Sequence, residues 1–450
     1  MVRNVWKSCL LSSLIFATSN AIEALEFKVN GFLTAGAQIL DEKKFSVAYD
    51  GVTPQRPAYD NDSAGNNGIS SRPNFHYDSL LGMQAEAKVS EKLGFVAQFL
   101  APGYNQYGVE ASWAFAKYHF NENFVGRAGR LRMPLFLTSE YLQVGYAYPW
   151  ITPPRHVYYQ VPLSVSNYTG ADATWNTNVL HQDLSISVFG GQVRANYQAE
   201  GGTGNITGKA NNATGANINF GNEVFSVRAA YAAGKAKYSP NDPSLESLRT
   251  LFGTLGSSLA TSAANQKIYN DLQSYFDIDN KSISFTAVGY KLEWKDLYSV
   301  AEYTRVRFAG WNPNSYGWYG TLGYRIMDKF LPTVTFSQYR TTNNDGLNRL
   351  PTTAMVNGDL GALLGATAIN ASQYQAYSSA YASAVPSLKN ATYRAEDSWI
   401  VAVKYDVIDN VALKASWTAV KPKKNTYGLF DSKPGKKIVN IYGLAMNLVF

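Results

Sequence analysis

The last segment of the chain alternates between two kinds of side chain and stops on an aromatic residue. One row holds large, mostly apolar residues at every second position and ends at the final residue: Tyr442, Leu444, Met446, Leu448 and Phe450. The residues between them are mostly small or polar. Because successive side chains of a β-strand point to opposite faces, this pattern predicts a strand with one apolar face and one mild face.

The same two-residue rhythm recurs along the whole chain, and about sixteen segments fit the strand pattern. In 81–89, Gln84, Glu86 and Lys88 alternate with apolar residues, and in 109–120 Lys117 and His119 do the same. Four segments, near 169–177, 183–194, 215–221 and 223–234, show the pattern more weakly. No clear boundary interrupts the series, so we expect one domain at 22–450.

The connections between these segments fall into a short and a long class. Turns of a few residues follow at Ser90–Leu93, Asn121–Asn123, Lys295–Asp296, Met327–Lys329 and Ile408–Asn410. Long connections separate the same strands at their other ends: Asp41–Asp78, Pro134–Tyr168, Lys235–Asn280, Thr341–Glu396 and Lys421–Lys437. Long loops gathered at one end are typical of barrels that cross an outer membrane, with short turns on the periplasmic side.

The start of the chain has the composition of a secretory signal peptide. Arg3 and Lys7 precede a short apolar core from Leu10 to Ala17, and small residues follow. We expect cleavage after Ala21, with a cut after Ala24 as the alternative. Cys9 is the single cysteine and would leave with the peptide, so the mature chain would form no disulfide. No other segment is apolar over the length that a membrane helix requires.

These patterns predict an all-β fold, a transmembrane antiparallel β-barrel. Backbone groups in lipid must be paired within the protein, and an open sheet would leave its edge strands unpaired, so the strands must close on one another. A barrel of about sixteen strands encloses a channel that holds water. The abundant aromatic residues (31 Tyr, 22 Phe and 9 Trp) suit the girdles at the two lipid interfaces.

With these features the chain resembles the sixteen-stranded trimeric porins of Gram-negative outer membranes, in particular a less well studied gammaproteobacterial subgroup. The resemblance rests on the signal peptide, the strand and turn alternation, the hairpin from Val401 to Trp417, and the terminal phenylalanine, which resembles the assembly signal of such barrels. It implies that the third loop, Pro134–Tyr168, folds into the barrel and narrows the pore. It also implies a homotrimer, the barrel assembly machinery, and contact with outer-membrane lipid and lipopolysaccharide. Unlike better-known porins, this loop carries only Glu140 as an acidic residue, beside Arg155 and His156.

Several charged residues are expected to line the pore or its constriction. They are Arg130, Arg132, Glu140, Arg155, Lys88, Lys117, Glu86, Lys404 and Lys414. Basic residues outnumber acidic ones on the predicted inner face, which favours a modest preference for anions. In the alternative interpretation these charges pair with their neighbours and only hydrate the wall.

The aromatic residues of the third loop have two interpretations. Tyr146, Tyr148 and Trp150 either pack the loop against the wall or form a track for sugars or aromatic solutes. The segment that begins at Asp242-Pro243 and the stretch 360–384 are expected to form helices in two further loops.

The sequence predicts a channel rather than an enzyme. Its four histidines, His76, His119, His156 and His181, show no metal-ligand spacing, and no cofactor is expected. The net charge of +7 is too small and dispersed to indicate nucleic-acid binding. We expect an outer-membrane porin through which small hydrophilic solutes and ions diffuse. A substrate-selective porin (for a sugar, phosphate or organic acid) and an adhesin or structural envelope barrel are the alternatives.

Overall fold

The structure is a computed structural model that describes most of the barrel and parts of its loops. The described residues are 26–41, 69, 73, 75–103, 107–158, 160, 167–198, 205–239, 243–276, 280–309, 314–342, 350–430 and 434–450. The predicted signal peptide, with both of its cleavage sites, lies outside the described residues.

Sixteen strands make up the sheet, as the alternation predicts. They are β1 (Glu26–Leu40), β2 (Leu80–Lys88), β3 (Leu93–Pro102), β4 (Glu110–His119), β5 (Phe124–Arg132), β6 (Asn167–Val179), β7 (Gln182–Gln198), β8 (Asn205–Gly221), β9 (Phe225–Ser239), β10 (Lys281–Trp294), β11 (Leu297–Phe308), β12 (Asn314–Tyr324), β13 (Phe330–Thr342), β14 (Ala395–Ile408), β15 (Val411–Pro422) and β16 (Val439–Val449). β8 is much longer than the predicted 215–221, because the glycine-rich run before it continues the ladder through a bulge between Asn211 and Thr214.

Each strand pairs antiparallel with its neighbours, and β1 pairs with β16, so the barrel is closed. The seam between first and last strands runs in register from Phe32 opposite Val449 to Leu40 opposite Ile441. Closure leaves no strand edge unpaired, which is what a sheet in lipid requires.

Alternation along the strands separates an apolar outer face from a polar inner face. On the outside, Leu322, Trp399 and Leu444 are well exposed, as lipid-facing side chains are in an isolated barrel. On the inside, Thr335 and Ser337 of β13 are buried, although they face the lumen. They are buried because loop residues fill this part of the lumen.

Long connections all lie at one end of the barrel, which is the extracellular end by the usual orientation of such folds. The third loop spans 133–166, since Tyr168 belongs to β6. It contains a 3-10 turn at Gly145–Ala147 and a short helix, α1 (Arg155–Tyr158).

Two other extracellular loops contribute helices that pack on one another. The connection between β9 and β10 forms α2 (Pro243–Ser257) and α3 (Ala263–Tyr275), and that between β13 and β14 forms α4 (Thr353–Gly365) and α5 (Ala371–Thr392). Leu248, Leu251, Phe252 and Leu255 of α2 are fully buried in their shared core, which confirms the predicted helix after Asp242. Leu259, expected on the same helix, lies beyond its end and is exposed. None of the described helices is long and apolar enough to cross a membrane.

Candidate functional site: a lumen narrowed by the third loop

The third loop enters the lumen and is held by a buried carboxylate on the opposite wall. Glu302 of β11 is 3% exposed, and its Oε1 accepts a hydrogen bond from the backbone N–H of Leu137 at 2.9 Å. Its Oε2 accepts bonds from the hydroxyls of Tyr158 at 2.9 Å and Tyr319 at 3.4 Å. Charge-assisted bonds of this kind are stronger than neutral ones, so Glu302 ties both ends of the described loop to one point.

A tryptophan and a histidine fasten the middle of the loop to the far wall. Trp150, 1% exposed, donates from Nε1 to Thr335 Oγ1 at 2.9 Å and packs edge-on against Tyr319. His156 lies between Ser337 Oγ at 2.6 Å and Glu396 Oε1 at 2.7 Å. Burial of one large aromatic side chain stabilises by about 2–3 kcal/mol, so these contacts hold the loop firmly against β13 and β14.

Two lysines of the predicted pore set lie under the loop rather than along an open channel. Lys404 and Lys414 face each other across β14 and β15, and both are buried. Lys414 donates to the carbonyls of Gly145 and, at 2.7 Å, of Trp150. The ammonium group of Lys404 lies 4.1 Å from the ring centre of Tyr146, and that of Lys414 lies 4.6 Å from the ring centre of Tyr148. Carbonyl oxygens and ring faces thus stabilise two cations that the loop shields from water.

The turn at Gly145 brings the loop backbone against the wall at the barrel seam. A Cβ atom at Gly145 would lie 2.3 Å from Asn447 Nδ2 and 2.7 Å from Thr34 Oγ1, which is closer than any side chain tolerates. Those two wall groups are bonded to each other at 2.8 Å. Glycine is therefore required here because the chain approaches β1 and β16 so closely.

A cavity, called here the passage, lies between the loop and the wall formed mainly by β1–β5. It has a volume of about 700 Å³, and Glu140 and Val144 border it on the loop side. Its wall carries amide, aromatic and charged side chains: Asn30, Gln84, Gln98, Trp113, Phe115, Glu86, Lys117 and Arg127. A second space of about 280 Å³ at the periplasmic mouth shares Glu86 and Lys117 with it. The loop thus fills one side of the lumen, and an amphipathic cavity lies on the other.

Three predicted pore residues, Glu86, Lys88 and Lys117, do line this passage or its mouth. Lys117 Nζ lies 2.7 Å from Glu86 Oε1, so this cation is paired. Lys88 lies at the mouth, 4.0 Å from Glu26, and both of these side chains are largely exposed. Pairs as exposed as Lys88 and Glu26 are weak, so both charges remain available to passing ions.

Arg127 occupies the lumen position that the sequence pattern assigned to Arg130. Arg127 lies opposite Lys117 in the ladder, whereas Arg130 lies opposite the outward-facing Ala114 and is exposed on the outer face. The prediction for Arg130 is therefore wrong. Since the β4–β5 turn pairs residues symmetrically, the inward position of Lys117 would have identified Arg127 from the sequence.

Arg127 and Arg132 make different contacts. Arg127 forms two bonds to the buried carboxylate of Asp172, at 2.8 and 2.7 Å, and keeps about a third of its side chain exposed (32%). Arg132 is buried and donates to Ser112 Oγ at 3.0 Å and to the carbonyl of Ser139 at 3.4 Å. Arg132 therefore holds the base of the loop instead of lining the passage.

Glu140 of the loop is paired with Arg228 of β9, which the sequence pattern did not connect to it. The guanidinium of Arg228 forms two bonds to the carboxylate, at 2.9 and 3.0 Å, and a third to the carbonyl of Pro134. Glu140 nevertheless keeps 57% of its side chain exposed and faces the passage.

Arg155 lies near the first loop, away from the passage. It donates to the hydroxyl of Tyr77 at 2.9 Å and covers the face of that ring. Burial raises the pKa of the neighbouring Asp78 carboxyl from 3.8 to about 6, although Arg155 and a bond from Gln38 Nε2 at 2.9 Å oppose this shift. Because the folded state holds this proton more tightly than the unfolded chain, the contribution of Asp78 to stability is greatest below about pH 4 and is lost as the pH rises through about 6.

The loop aromatics pack rather than form an open track. Trp150 and Tyr148 are buried, and the hydroxyl of Tyr146 donates to the carbonyl of Asp409 in a periplasmic turn at 2.5 Å. The contacts favour the packing interpretation. Other aromatic residues, Trp113 and Phe115 of β4, line the passage instead, and the sequence pattern did not single them out.

The terminal row of apolar residues lies on the outer face, as predicted. Tyr442, Leu444, Met446 and Phe450 are all exposed there. The backbone of Phe450 exchanges two hydrogen bonds with Gly31, at 2.7 and 2.9 Å, and completes the seam between β1 and β16. A Cβ atom at Gly31 would lie 2.3 Å from the phenylalanine ring, so glycine leaves the space that this ring occupies.

The described residues contain no cluster of three or more His, Cys, Asp or Glu side chains that would hold a metal ion.

Comparisons with known proteins find likeness in structure alone. No protein-family model and no curated protein matches the sequence. The outer-membrane protein OmpT of Vibrio cholerae is similar with a TM-score of 0.50 and 10% identity, over 96% of this chain and 99% of that one. The anion-selective porin from Comamonas acidovorans is similar with a TM-score of 0.50 and 9% identity, over 95% of this chain and all of that one. Such low identity carries the fold and nothing finer. The chain therefore has the closed sixteen-stranded barrel fold of porins from the outer membrane of Gram-negative bacteria.

Proposed function

We propose that the protein is a passive diffusion channel for small hydrophilic solutes and ions. The observation that supports this proposal is the cavity of about 700 Å³ between the third loop and β1–β5. Its wall bears amide and charged side chains, which replace part of the hydration of a passing solute. The loop is tied to the wall by Glu302, Trp150 and Lys414, and these contacts fix the width of the constriction in this structure.

The selectivity that we propose is a modest preference for anions. The accessible cations at the passage and its mouth are Lys28, Lys88, Lys92, Lys117 and Arg127, and the accessible anions are Glu26, Glu86, Glu91 and Glu140. Asp172 is buried beneath Arg127 and contributes less to the potential in the passage. Most of these charges are paired, so the excess of positive charge is small and the preference should be weak.

Recordings from the purified full-length protein in planar bilayers test this proposal. We expect stepwise conductance that is proportional to salt concentration, and a reversal potential in a salt gradient that corresponds to slight anion selectivity. An absence of conductance would support the alternative of an adhesin or structural barrel. A clear cation preference would refute the charge argument while leaving the channel intact.

A substrate-selective channel is the second candidate, and one observation favours it. Trp113 and Phe115 present rings to the passage beside the amides of Gln84 and Gln98, a combination that suits sugars and other ringed solutes. Adding a panel of sugars, phosphate and organic acids to the same bilayers discriminates between the two. Block of the ion current by one class at low concentration would indicate a binding site, whereas uniform weak effects would support simple diffusion.

We also propose that the chain assembles as a homotrimer through the outer face of β1–β6. That face carries small side chains, among them Ala85, Ala97, Ala116 and Ala171, between exposed rings such as Phe27 and Phe95. Small residues let protein surfaces approach closely in a membrane. Insertion would use the terminal row ending at Phe450 and the barrel assembly machinery. The mass of the detergent-purified protein, measured by native mass spectrometry, tests the trimer, and a monomer would refute it.

A further inference from the structure

We propose that the outer wall of the barrel carries a binding site for the phosphate groups of outer-leaflet glycolipid. The site, called here the outer basic patch, consists of Arg305 and Arg307 of β11 with Lys235 of β9. It is separate from the passage and does not depend on the proposed channel function.

The strand register places all three side chains on the outside. Arg305 lies opposite Thr286 and Tyr316, and Arg307 lies opposite Ser284. Along β11 the two arginines alternate with the inward residues Glu302 and Thr304, which contact the third loop inside the barrel. Lys235, on the outward row of β9, lies opposite Ser282 and is exposed.

The outer basic patch is not neutralised by any carboxylate of the described residues. Among the residues that the structure describes, the side chains of Arg305, Arg307 and Lys235 make no ion pair. Their outward neighbours Ser282, Ser284 and Thr286 carry hydroxyls and no carboxylates. This contrasts with Arg340 further round the same rim, which is bonded to Asp397. Three cations, on the two strands that flank the hydroxyl row of β10, lack a counter-ion among the described residues, which indicates that an external anion completes the site.

The height of the outer basic patch identifies that anion. A belt of rings on the outer face begins at the level of Arg305, where Tyr316 lies opposite it and stacks on Tyr303, and continues below, where Trp318 and Trp399 both contact Phe336. Aromatic belts mark the boundary between hydrocarbon and headgroups. The patch therefore lies at headgroup level on the extracellular side, where an unpaired arginine costs little and lipid phosphates are within reach.

The chemistry suits phosphate in particular. A guanidinium binds phosphate through two parallel hydrogen bonds, and hydroxyl groups beside it supply further donors. Arg305 and Arg307 are separated by one residue, so their Cα atoms lie about 7 Å apart on one face of the strand. Both can engage one phosphorylated headgroup while its acyl chains lie along the belt of rings.

Native mass spectrometry of the purified full-length barrel tests this proposal, with diphosphoryl lipid A as the probe and its dephosphorylated form as the comparison. We expect the wild-type barrel to retain the diphosphoryl form preferentially. The double variant R305Q/R307Q should bind it roughly thirtyfold more weakly, the effect of removing two cations from an anionic lipid surface. The matched control K295Q/K329Q removes two positive charges from periplasmic turns and should bind like wild type.

Three results would overturn the proposal. They are equal binding of the two lipid forms by the wild type, equal losses in the two double variants, and displacement of lipid A by millimolar inorganic phosphate, which would indicate a site for the free ion. Should R305Q/R307Q fail to fold, R307Q alone at this exposed position gives the same test with a loss of about fivefold.

Discussion

Replacing Arg127 by glutamine should shift ion selectivity towards cations, because it removes a positive charge that faces the passage. An ion that passes about 5 Å from the guanidinium in water interacts with it by about 0.8 kcal/mol. Physiological salt screens about half of this energy over that distance. Without this interaction, anion permeability should fall about twofold and cation permeability should rise about twofold. The ratio of anion to cation permeability should therefore fall about fourfold.

Reversal potentials in a salt gradient across planar bilayers measure this ratio directly. R130Q is the matched control, since it removes the same charge from the outer face of the same strand and should leave the ratio unchanged. The double variant R127Q/D172N also removes the carboxylate that Arg127 neutralises, and should return the ratio towards the wild-type value. An equal shift in R127Q and R130Q, or none in R127Q, would refute the assignment of the lumen face on β5.

Three further changes test the loop, its titrating neighbour and the seam. W150A should lower the free energy of unfolding by about 3–5 kcal/mol and release the loop from β13. Single-channel recordings would detect the release as a larger and noisier conductance. Unchanged traces would contradict the anchoring role. The free energy of unfolding of the wild type, measured with denaturant, should fall by about 3 kcal/mol between pH 4 and pH 7 as Asp78 ionises. D78N should flatten this dependence on pH. Identical pH dependence in the two proteins would contradict the role of Asp78. Deleting Phe450 removes two seam hydrogen bonds, about 2 kcal/mol, and should lower the fraction that migrates as folded barrel on unheated gels; a full yield of folded protein would show that the seam closes without it.

The predicted function depends on charges whose partners lie on distant strands. Glu140 is paired with Arg228, and Arg127 with Asp172, across separations of 88 and 45 residues. The sequence pattern predicted a basic excess on the inner face but could not show which of these charges are neutralised by distant partners. Both of the interpretations considered for those charges therefore hold in part: most are paired, and a few remain accessible along the passage.

The hairpin from β4 to β5 shows where sequence reasoning failed although the information was present. The glycines of β5 interrupt the alternation of apolar and polar residues, so the pattern within this strand does not determine which face carries Arg130. The turn register relative to Lys117 was the missing constraint, and a one-residue slip of a strand moves every side chain to the other face.

By itself, the sequence determined the barrel. Alternation with a period of two, short turns at one end and a terminal aromatic row are local properties, and backbone pairing in lipid leaves closure as the one solution for such strands. Only the tertiary structure decided the shape of the lumen. The path of the third loop depends on Glu302, Thr335 and Lys414, which are 144–269 residues away from their loop partners, so no local pattern encodes it. Such contacts require the closed wall, because the closed wall is what brings those groups together.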